Sequence, residues 1–225
     1  MTTPRLVKVR QDVLKQNDLL ARELRAAFRA AGVTVLSLVS SPGAGKTTLL
    51  EKLLTHLSQQ FRVAALVGDL ATENDAARLS RSGVPVRQIV TGTVCHLDAE
   101  MVRRALADWD LEQLDLLFIE NVGNMVCPSS YDLGEDLRFV LMSVTEGEDK
   151  PLKYPTIFNT ADVAVITKMD LAQAAEFDLA TAESNIQSVR PGIRMLQTSA
   201  KTEKGIGDLL KFICTARQTT AVVAL

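Results

Sequence analysis

A short segment that combines glycines, a lysine and threonines carries the clearest chemistry in this sequence. It reads SSPGAGKTTLL, after an apolar run and before helix-forming residues, which is the context that a phosphate-binding loop requires. Glycines let backbone N–H groups close around phosphate oxygens, Lys46 places a positive charge on the β- and γ-phosphates, and the Thr47 hydroxyl can ligate Mg²⁺. The full pattern has glycine where this chain has Ser40, so only the entry turn departs from it. The segment predicts nucleotide binding, rather than a structural glycine turn, through Gly43, Ala44, Gly45, Lys46, Thr47 and Thr48.

Acidic residues stand where buried strands are predicted to end. Asp69 closes one apolar run, Glu120 closes another, and Asp75 follows the first at a short distance. In a doubly wound sheet these strand ends face the ligand, where carboxylates can hold Mg²⁺ or orient the attacking water. We therefore predict Thr47, Asp69 and Glu120 as Mg²⁺ ligands, and Lys46 and Asp75 as catalytic residues. For Asp75, a first-turn charge at the start of a helix is an equally good interpretation.

A third group of polar residues predicts which base is bound. The Asp170 carboxylate can accept two hydrogen bonds from guanine N1–H and the 2-amino group, and adenine lacks this pair of donors. Adenine would leave the buried carboxylate unpaired, so the site would select GTP over ATP. The stem of Lys168 is expected to cover one face of the base, and a later segment is expected to close the pocket with backbone donors. The predicted residues are Lys168, Asp170, Ser199, Ala200 and Lys201.

Two segments carry thiol and imidazole side chains. Cys95 and His96 are adjacent just before a predicted helix, and Cys127 follows the Glu120 element. Thiolate and imidazole are good ligands for Ni²⁺ and Zn²⁺, and three ligands would leave positions open for transfer of the metal. Spacing alone favours the alternative of small buried cysteines and a hydrogen-bonded histidine.

The nucleotide motifs together resemble those of regulatory-type GTPases. The matching elements are the phosphate loop, Glu120-x-x-Gly123, Thr167-Lys168-x-Asp170 and Ser199-Ala200-Lys201. The glutamate resembles the branch that includes signal-recognition and metallocentre-maturation GTPases. Thr167 replaces the asparagine that is usual in the guanine-selecting motif, which removes one contact and keeps the discriminating carboxylate. The resemblance implies a GTPase that uses GTP, GDP and Mg²⁺.

Within that branch, nearly the whole chain resembles the HypB family, GTPases that insert nickel during maturation of [NiFe]-hydrogenase. The Cys95-His96 pair, Cys127 and the segment 146–155 (EGEDKPLKYP) carry this resemblance. It implies that Cys95, His96 and Cys127 bind Ni²⁺ or Zn²⁺ at the interface of a GTP-dependent homodimer. It also implies slow hydrolysis, and as partners a nickel-binding maturation protein and the hydrogenase large subunit. Lys153 is expected either to reach the nucleotide across the dimer or to be a solvated loop lysine.

The position of Cys127 predicts how the two sites communicate. It follows Glu120 by seven residues (127 − 120 = 7), in a segment whose conformation the γ-phosphate and Mg²⁺ would set. Two other functions stay open: a nickel or zinc carrier for which nucleotide is only a structural ligand, and a urease-type nickel-insertion GTPase. The latter family's Cys-Pro-His metal motif disfavours it here. Neither a CxxCxC motif nor a His-rich tract occurs near the start, so high-affinity nickel storage is not expected.

Composition narrows the class of protein. The chain has 225 residues with 47% hydrophobic residues and a net charge of −2, which gives no electrostatic reason to expect nucleic acid or a membrane surface as partner. No apolar run approaches the length of about 20 residues that spans a bilayer, and no secretory h-region is visible. Three widely spaced cysteines argue against a disulfide framework. We expect a cytoplasmic protein.

Alternation of apolar runs with amphipathic segments predicts an α/β fold. We expect a three-layer P-loop NTPase with a doubly wound, mostly parallel sheet, helices on both faces and an N-terminal helix. Residues 1–32 are predicted to form that helix, packed on the domain or on a dimer partner, and residues 33–225 the GTPase domain. Two runs, 84–90 and 137–144, are expected to flank the central sheet. Other strands are expected at 63–69, 114–120, 162–167 and 193–198, and helices at 5–31, 47–59, 73–81, 98–109, 172–189 and 206–217.

Overall fold

The computed structural model describes residues 5–69 and 74–223. Seven strands form one sheet in the order β3-β2-β4-β1-β5-β6-β7, and all neighbouring strands pair in parallel. The strands are β1 (Thr34–Ser40), β2 (Val63–Asp69), β3 (Val86–Val90), β4 (Leu116–Glu120), β5 (Leu137–Ser143), β6 (Val163–Thr167) and β7 (Arg194–Gln197). The helices are α1 (Arg5–Ala30), α2 (Lys46–Leu57), α3 (Asn74–Leu79), α4 (Ala99–Ala105), α5 (Lys150–Lys153), α6 (Pro155–Asn159), α7 (Leu179–Val189) and α8 (Ile206–Val223). This is the doubly wound fold that the sequence predicts.

The sheet is buried on both faces, which explains its continuous apolar runs. Successive β1 residues point to opposite sides: Leu36 and Leu38 join the core beneath α2 and α8, whereas Val35 joins the core beneath α1 and α4. A third apolar cluster covers β5 and β6 with α6 and α7. Helices therefore hold the strands from both sides, and the carboxyl ends of the strands meet along one edge.

The central position of β1 decides where a ligand can bind. From β1 the chain crosses through α2 to β2 on one side, while β5, β6 and β7 extend the sheet on the other side. A ligand of a doubly wound sheet binds where the winding reverses, beyond the carboxyl ends of the strands. Here β1 lies between β4 and β5, so the loop that follows β1 stands at the crevice.

The prediction for residues 137–144 is wrong in position. They form β5, which lies between β1 and β6 inside the sheet, and all of its residues after Leu137 are buried. The charged residue of this strand, Arg138, is 8% exposed, and its charge is met by Glu135 at 2.8 Å. Within the predicted run 84–90, Val86–Val90 form an edge strand, β3, as expected.

Helix ends differ from prediction where local capping decides them. The helix predicted from residue 172 begins at Leu179, because the Asp178 side chain caps it by accepting a hydrogen bond from the Thr181 N–H. The helix expected to end at residue 217 continues to Val223, and the short helices α5 and α6 were not predicted. The residue predicted to start α3, Glu73, lies outside the described residues.

Helix α1 packs on the domain that follows it. Leu24 and Phe28 are buried there, whereas Val13 is 46% exposed and Ala27 is exposed. The division into residues 1–32 and 33–225 stays a prediction. A search of the described helices found none with the length and apolarity to cross a membrane.

Candidate functional site

The loop between β1 and α2 turns at two glycines. Gly43 has φ 76° and Gly45 has φ 93°, a left-handed conformation that side chains disfavour. Gly45 is also the N-cap of α2, so Lys46, Thr47 and Thr48 form the first helical turn beneath the loop. The loop therefore directs backbone N–H groups and the positive end of α2 into the crevice, as phosphate binding requires.

Lys46 is buried, with 7% of its surface exposed, and its Nζ donates a hydrogen bond to the Ser40 hydroxyl at 2.9 Å. Burial lowers the pKa of Lys46, while the nearby carboxylates, chiefly Glu120 and then Asp75, act to raise it. Ser40, which replaces the first glycine of the motif, therefore holds the Lys46 ammonium group next to the start of the loop. The Lys46 charge faces the space where phosphate would lie.

Thr47 and Glu120 form the centre of the predicted Mg²⁺ site. The Thr47 hydroxyl donates to Glu120 Oε1 at 2.7 Å. The other oxygen, Oε2, is buried and has no hydrogen-bond partner among residues 5–69 and 74–223. Burial raises the pKa of Glu120 to about 7, despite the opposing effect of Lys46. A buried carboxylate oxygen without a partner, beside a hydroxyl, fits a divalent cation with oxygen ligands.

One cavity of about 460 Å³ joins most of the predicted nucleotide residues. Asp69 enters it from the end of β2, Asp75 from the start of α3 and Glu120 from the end of β4. Arg78 also lines this cavity, although the sequence analysis did not single it out; its guanidinium donates to Glu51 at 2.9 Å. The spacing of Arg78 from Asp75, three residues on one helix, was an available signal.

The residues predicted to bind guanine lie beside the phosphate loop. Lys168 has φ 58° and its Nζ donates to the Gly43 carbonyl oxygen at 2.6 Å, which lays its stem across the loop. The Thr167 hydroxyl donates to the Ala44 carbonyl oxygen at 2.7 Å, so the threonine that replaces asparagine ties this strand to the loop. The Ser199 hydroxyl donates to the Asp170 carboxylate at 2.6 Å. A second cavity next to the first is lined by residues that include Thr48, Asp170, Ala200 and Lys201.

Cys95, His96 and Cys127 come together in space. Their ligand atoms all lie within 4.8 Å of one another, and the two sulfur atoms are 2.9 Å apart. The His96 ring stacks on Tyr131 with centroids 3.9 Å apart, and its Nδ1 is buried with no hydrogen-bond partner within the described part of the chain. Burial lowers the pKa of His96, which favours the neutral imidazole that binds metals. The cluster has the donor set and spacing for a soft divalent metal.

Two asparagines connect this cluster with the strand-end acid. The Asn121 Oδ1 atom accepts hydrogen bonds from the backbone N–H groups of Leu97 at 3.0 Å and Val122 at 2.9 Å. Asn124 donates to the Cys95 carbonyl oxygen at 3.3 Å and accepts from the Val126 N–H at 2.8 Å. The sequence analysis missed both roles, although Asn121 directly follows Glu120. The segment 120–127 thus contacts both candidate sites.

Lys153 is not among the residues that line the nucleotide cavity. Its Nζ is 2.6 Å from Asp149 and its side chain is 63% exposed. The preceding Glu146, however, accepts a hydrogen bond from Ser41 of the phosphate loop and contacts Lys150 at 3.2 Å. The acidic-to-lysine segment is therefore anchored to the loop at Glu146, while the Lys153 side chain is exposed.

A parallel sheet with a phosphate loop at its switch point defines a P-loop nucleotide-binding protein. Residues 34–197 match the family described as "CobW/HypB/UreG, nucleotide-binding domain". The chain belongs to the HypB family of hydrogenase maturation factors within that group.

Three similar proteins illustrate the match. Hydrogenase maturation factor HypB of Azotobacter chroococcum mcd 1 is 47% identical over 215 residues, which cover 95% of this chain and 70% of the relative. Hydrogenase/urease maturation factor HypB of Helicobacter hepaticus is 44% identical over 92% of this chain and 86% of its own. The crystal structure of HypB from Helicobacter pylori in complex with nickel superposes with a TM-score of 0.86 at 41% identity, covering 92% of this chain and 97% of that one.

Proposed function

We propose that this protein is a GTP-hydrolysing metallochaperone that delivers nickel during [NiFe]-hydrogenase maturation. The observation that carries the proposal is the segment 120–127, which begins at Glu120 in the nucleotide cavity and ends at Cys127 in the thiol–imidazole cluster. Two sites on one short segment can be energetically coupled when the segment has two conformations, because a ligand at either site can favour one of them. Family membership and the nickel-bound relative support the same role.

The nucleotide half of the proposal assigns each residue a role in hydrolysis of GTP to GDP and phosphate. Lys46 and the backbone N–H groups of the loop stabilise charge on the phosphates. Thr47, Asp69 and Glu120 hold Mg²⁺, which neutralises charge between the phosphates when it is bound. Asp75 orients the attacking water. Asp170 pairs with guanine, with Lys168, Ser199, Ala200 and Lys201 around the base.

The metal half of the proposal takes nickel as cargo. Cys95, His96 and Cys127 supply two sulfurs and one nitrogen, and this leaves at least one position on the ion for a ligand from a partner. An open coordination sphere suits transfer better than storage, because an incoming ligand can bind before the old ones leave. Zn²⁺ accepts the same donors, so it is the competing metal.

A conformational switch links the two halves of the proposal. γ-Phosphate and Mg²⁺ would draw Glu120 and the segment after it into one conformation, and Asn121 would pass this movement to the backbone of Leu97, next to His96. GTP would thereby favour a homodimer and change nickel affinity, and hydrolysis would reverse both. Lys153, exposed on its anchored segment, would reach the nucleotide of the second copy. A nickel-binding maturation protein and the hydrogenase large subunit complete the pathway.

The alternative of a carrier with a merely structural nucleotide makes different predictions, so one experiment separates the two. We would titrate nickel into wild type, Cys95→Ala and Cys214→Ala, each loaded with GDP or with a non-hydrolysable GTP analogue. We expect different nickel affinities in the two nucleotide states, loss of binding in Cys95→Ala, and wild-type behaviour in Cys214→Ala, whose thiol lies on α8 outside the cluster.

Turnover and maturation assays complete the test. Lys46→Ala should abolish GTP hydrolysis and hydrogenase maturation together. Maturation that survives Lys46→Ala would favour the carrier, and equal nickel affinity with GDP and the GTP analogue would exclude direct coupling, because only differential affinity shifts an equilibrium. Assaying urease activation in the same cells distinguishes the hydrogenase role from the combined role named for the Helicobacter hepaticus relative.

A further inference from the structure

Asn17 is a buried amide in the middle of helix α1. It is 7% exposed, and both ends of its side chain are used. Its Nδ2 donates to the Asp132 carbonyl oxygen at 2.9 Å, and its Oδ1 accepts from the Ala99 N–H at 2.9 Å. One side chain therefore joins α1 to two separate segments of the domain.

Those two segments are the ones that carry the thiol–imidazole cluster. Ala99 follows His96 by three residues (99 − 96 = 3), and Asp132 follows Cys127 by five (132 − 127 = 5). The two hydrogen-bond partners of Asn17 are 33 residues apart along the chain (132 − 99 = 33). Asn17 thus acts as a brace between the segment of Cys95 and His96 and the segment of Cys127.

Other contacts near Asn17 hold the segment of Cys127 against helix α1. Gly134 lies so close to α1 that a Cβ atom there would be 2.9 Å from Leu24 Cβ, and its φ of +83° also excludes other residues. Arg25 forms an ion pair with Asp132 at 2.6 Å. Since these contacts already fix residues 132–134 on α1, the Asn17 amide is the element that relates them to Ala99.

The amide of Asn17 suits both contacts. Its two partners are a carbonyl oxygen and an N–H group, which need one donor and one acceptor at the tip of the same short side chain. An apolar residue would leave both backbone groups unpaired in a buried place. A carboxylate would still accept from Ala99 and would turn an oxygen toward the Asp132 carbonyl.

We propose that Asn17 is a positioning residue for the metal site formed by Cys95, His96 and Cys127, and that α1 sets the spacing of the ligands through it. The inference rests on the proposed function of that cluster as a nickel site. When a group that orients metal ligands through hydrogen bonds is removed, metal affinity typically falls by about 10–100-fold. Loss of the brace lets the two ligand segments move apart, so nickel binds more weakly. Asn17 and its two hydrogen-bond partners do not line the nucleotide cavity, so GDP affinity should stay close to wild type.

The test compares five variants with wild type. Nickel is titrated into wild type, Asn17→Ala, Asn17→Asp, Gln16→Ala and Phe28→Leu, with thiolate-to-nickel charge-transfer absorption as the readout and GDP affinity and thermal unfolding in parallel. Gln16→Ala removes the same amide from the neighbouring, exposed position. Phe28→Leu destabilises α1 at a buried position about 16 Å further along the helix. Cys95→Ala reports whether the cluster binds nickel at all.

We expect Asn17→Ala to lower nickel affinity about tenfold and to shift the charge-transfer band, with GDP affinity unchanged. Asn17→Asp keeps the hydrogen bond from the Ala99 N–H but sets an oxygen against the Asp132 carbonyl, so it should also weaken nickel binding, and it carries the test if the alanine variant does not fold. Gln16→Ala should match wild type, and Phe28→Leu should lose thermal stability with nickel affinity intact.

Two results would overturn the proposal. A wild-type affinity and spectrum in the Asn17 variants, with binding lost in Cys95→Ala, would reject the positioning role alone. An equal loss of nickel affinity in Asn17→Ala and Phe28→Leu would show that α1 acts only through stability. Nickel binding that survives Cys95→Ala would instead reject the proposed metal site itself.

Discussion

Asn121 and Leu97 are joined by a hydrogen bond of 3.0 Å from the Leu97 N–H to the Asn121 side-chain oxygen. Asn121 directly follows Glu120 at the end of β4, and Leu97 directly follows His96. Gly68 packs beneath the same residue, because a Cβ atom there would lie 2.7 Å from Leu97 Cγ. The end of the strand that carries the buried acid is therefore in direct contact with the segment that carries two of the candidate metal ligands.

Replacing Asn121 with alanine should uncouple the two sites. The buried N–H groups of Leu97 and Val122 would lose their acceptor, at a cost of about 1–3 kcal/mol each if they stay buried. We expect the difference in nickel affinity between the GDP and GTP-analogue states to shrink, while the affinity for GDP itself stays close to wild type. Nickel titration in both nucleotide states measures this. Gln59→Ala, at an exposed position, is the matched control, and an unchanged difference in Asn121→Ala would contradict the prediction.

Asp170 should determine which nucleotide is bound. Asp170→Asn presents an amide N–H group to guanine N1–H, so two donors face each other and GTP affinity should fall by about two orders of magnitude. Xanthosine triphosphate, which carries an oxygen in place of the 2-amino group, should bind the variant better than wild type. Competition against a fluorescent guanine nucleotide checks both changes. Retention of tight GTP binding by Asp170→Asn would remove this residue from the guanine site.

Glu120 should make nucleotide binding depend on Mg²⁺. Glu120→Gln keeps an oxygen near the Thr47 hydroxyl but removes the charge that a divalent cation needs. We expect the enhancement of GTP-analogue affinity by Mg²⁺ to drop at least tenfold, a loss of about 1.4 kcal/mol. Titrations with Mg²⁺ and with EDTA provide the measurement. Glu112→Gln, at an exposed position on the short turn that precedes β4, serves as the control.

The same carboxyl group should make the nucleotide-free protein less stable as pH rises. Burial raises the folded-state pKa of Glu120 from 4.5 to about 7, so its favourable contribution is complete below pH 4.5 and is lost as pH rises through 7. Glu120→Gln should therefore raise the unfolding temperature at pH 8 by more than at pH 5. Thermal unfolding at pH 5 and pH 8 measures this difference. An equal rise in unfolding temperature at both pH values would show that burial does not raise the pKa of Glu120.

Asp115 gives a contrast of opposite sign. Its hydrogen bonds with Arg62 hold its pKa below the ordinary value of 3.8, so its stabilising contribution is complete above that pH and disappears as pH falls through the lower folded-state value. Asp115→Asn should lower the unfolding temperature at pH 6, and the gap to wild type should narrow as the pH falls below 3.8. A gap that stays constant over this range would indicate that the ion pairs with Arg62 and Arg217 are not its source.

Local chemistry explains why so much of the nucleotide site was predictable. The phosphate loop needs glycines at fixed offsets from Lys46 and Thr47, and Asp69 and Glu120 close apolar runs that became β2 and β4. Parallel strands end at one edge, so their polar ends had to converge. The run 137–144 was recognised as a strand yet placed at the wrong position, because hydrophobicity reveals that a strand is buried and leaves its neighbours undecided.

Residue type and spacing along the chain thus specify the P-loop fold and name the candidate ligands, because both depend on short-range patterns. Contacts between segments far apart in sequence are set only by packing. Cys127 meets Cys95, and Asn17 joins Asp132 to Ala99, only because segments far apart in the sequence pack together. In the sequence, an asparagine on an amphipathic helix cannot be distinguished from a polar surface residue. Only the packing of distant segments against the helix determines that it is buried.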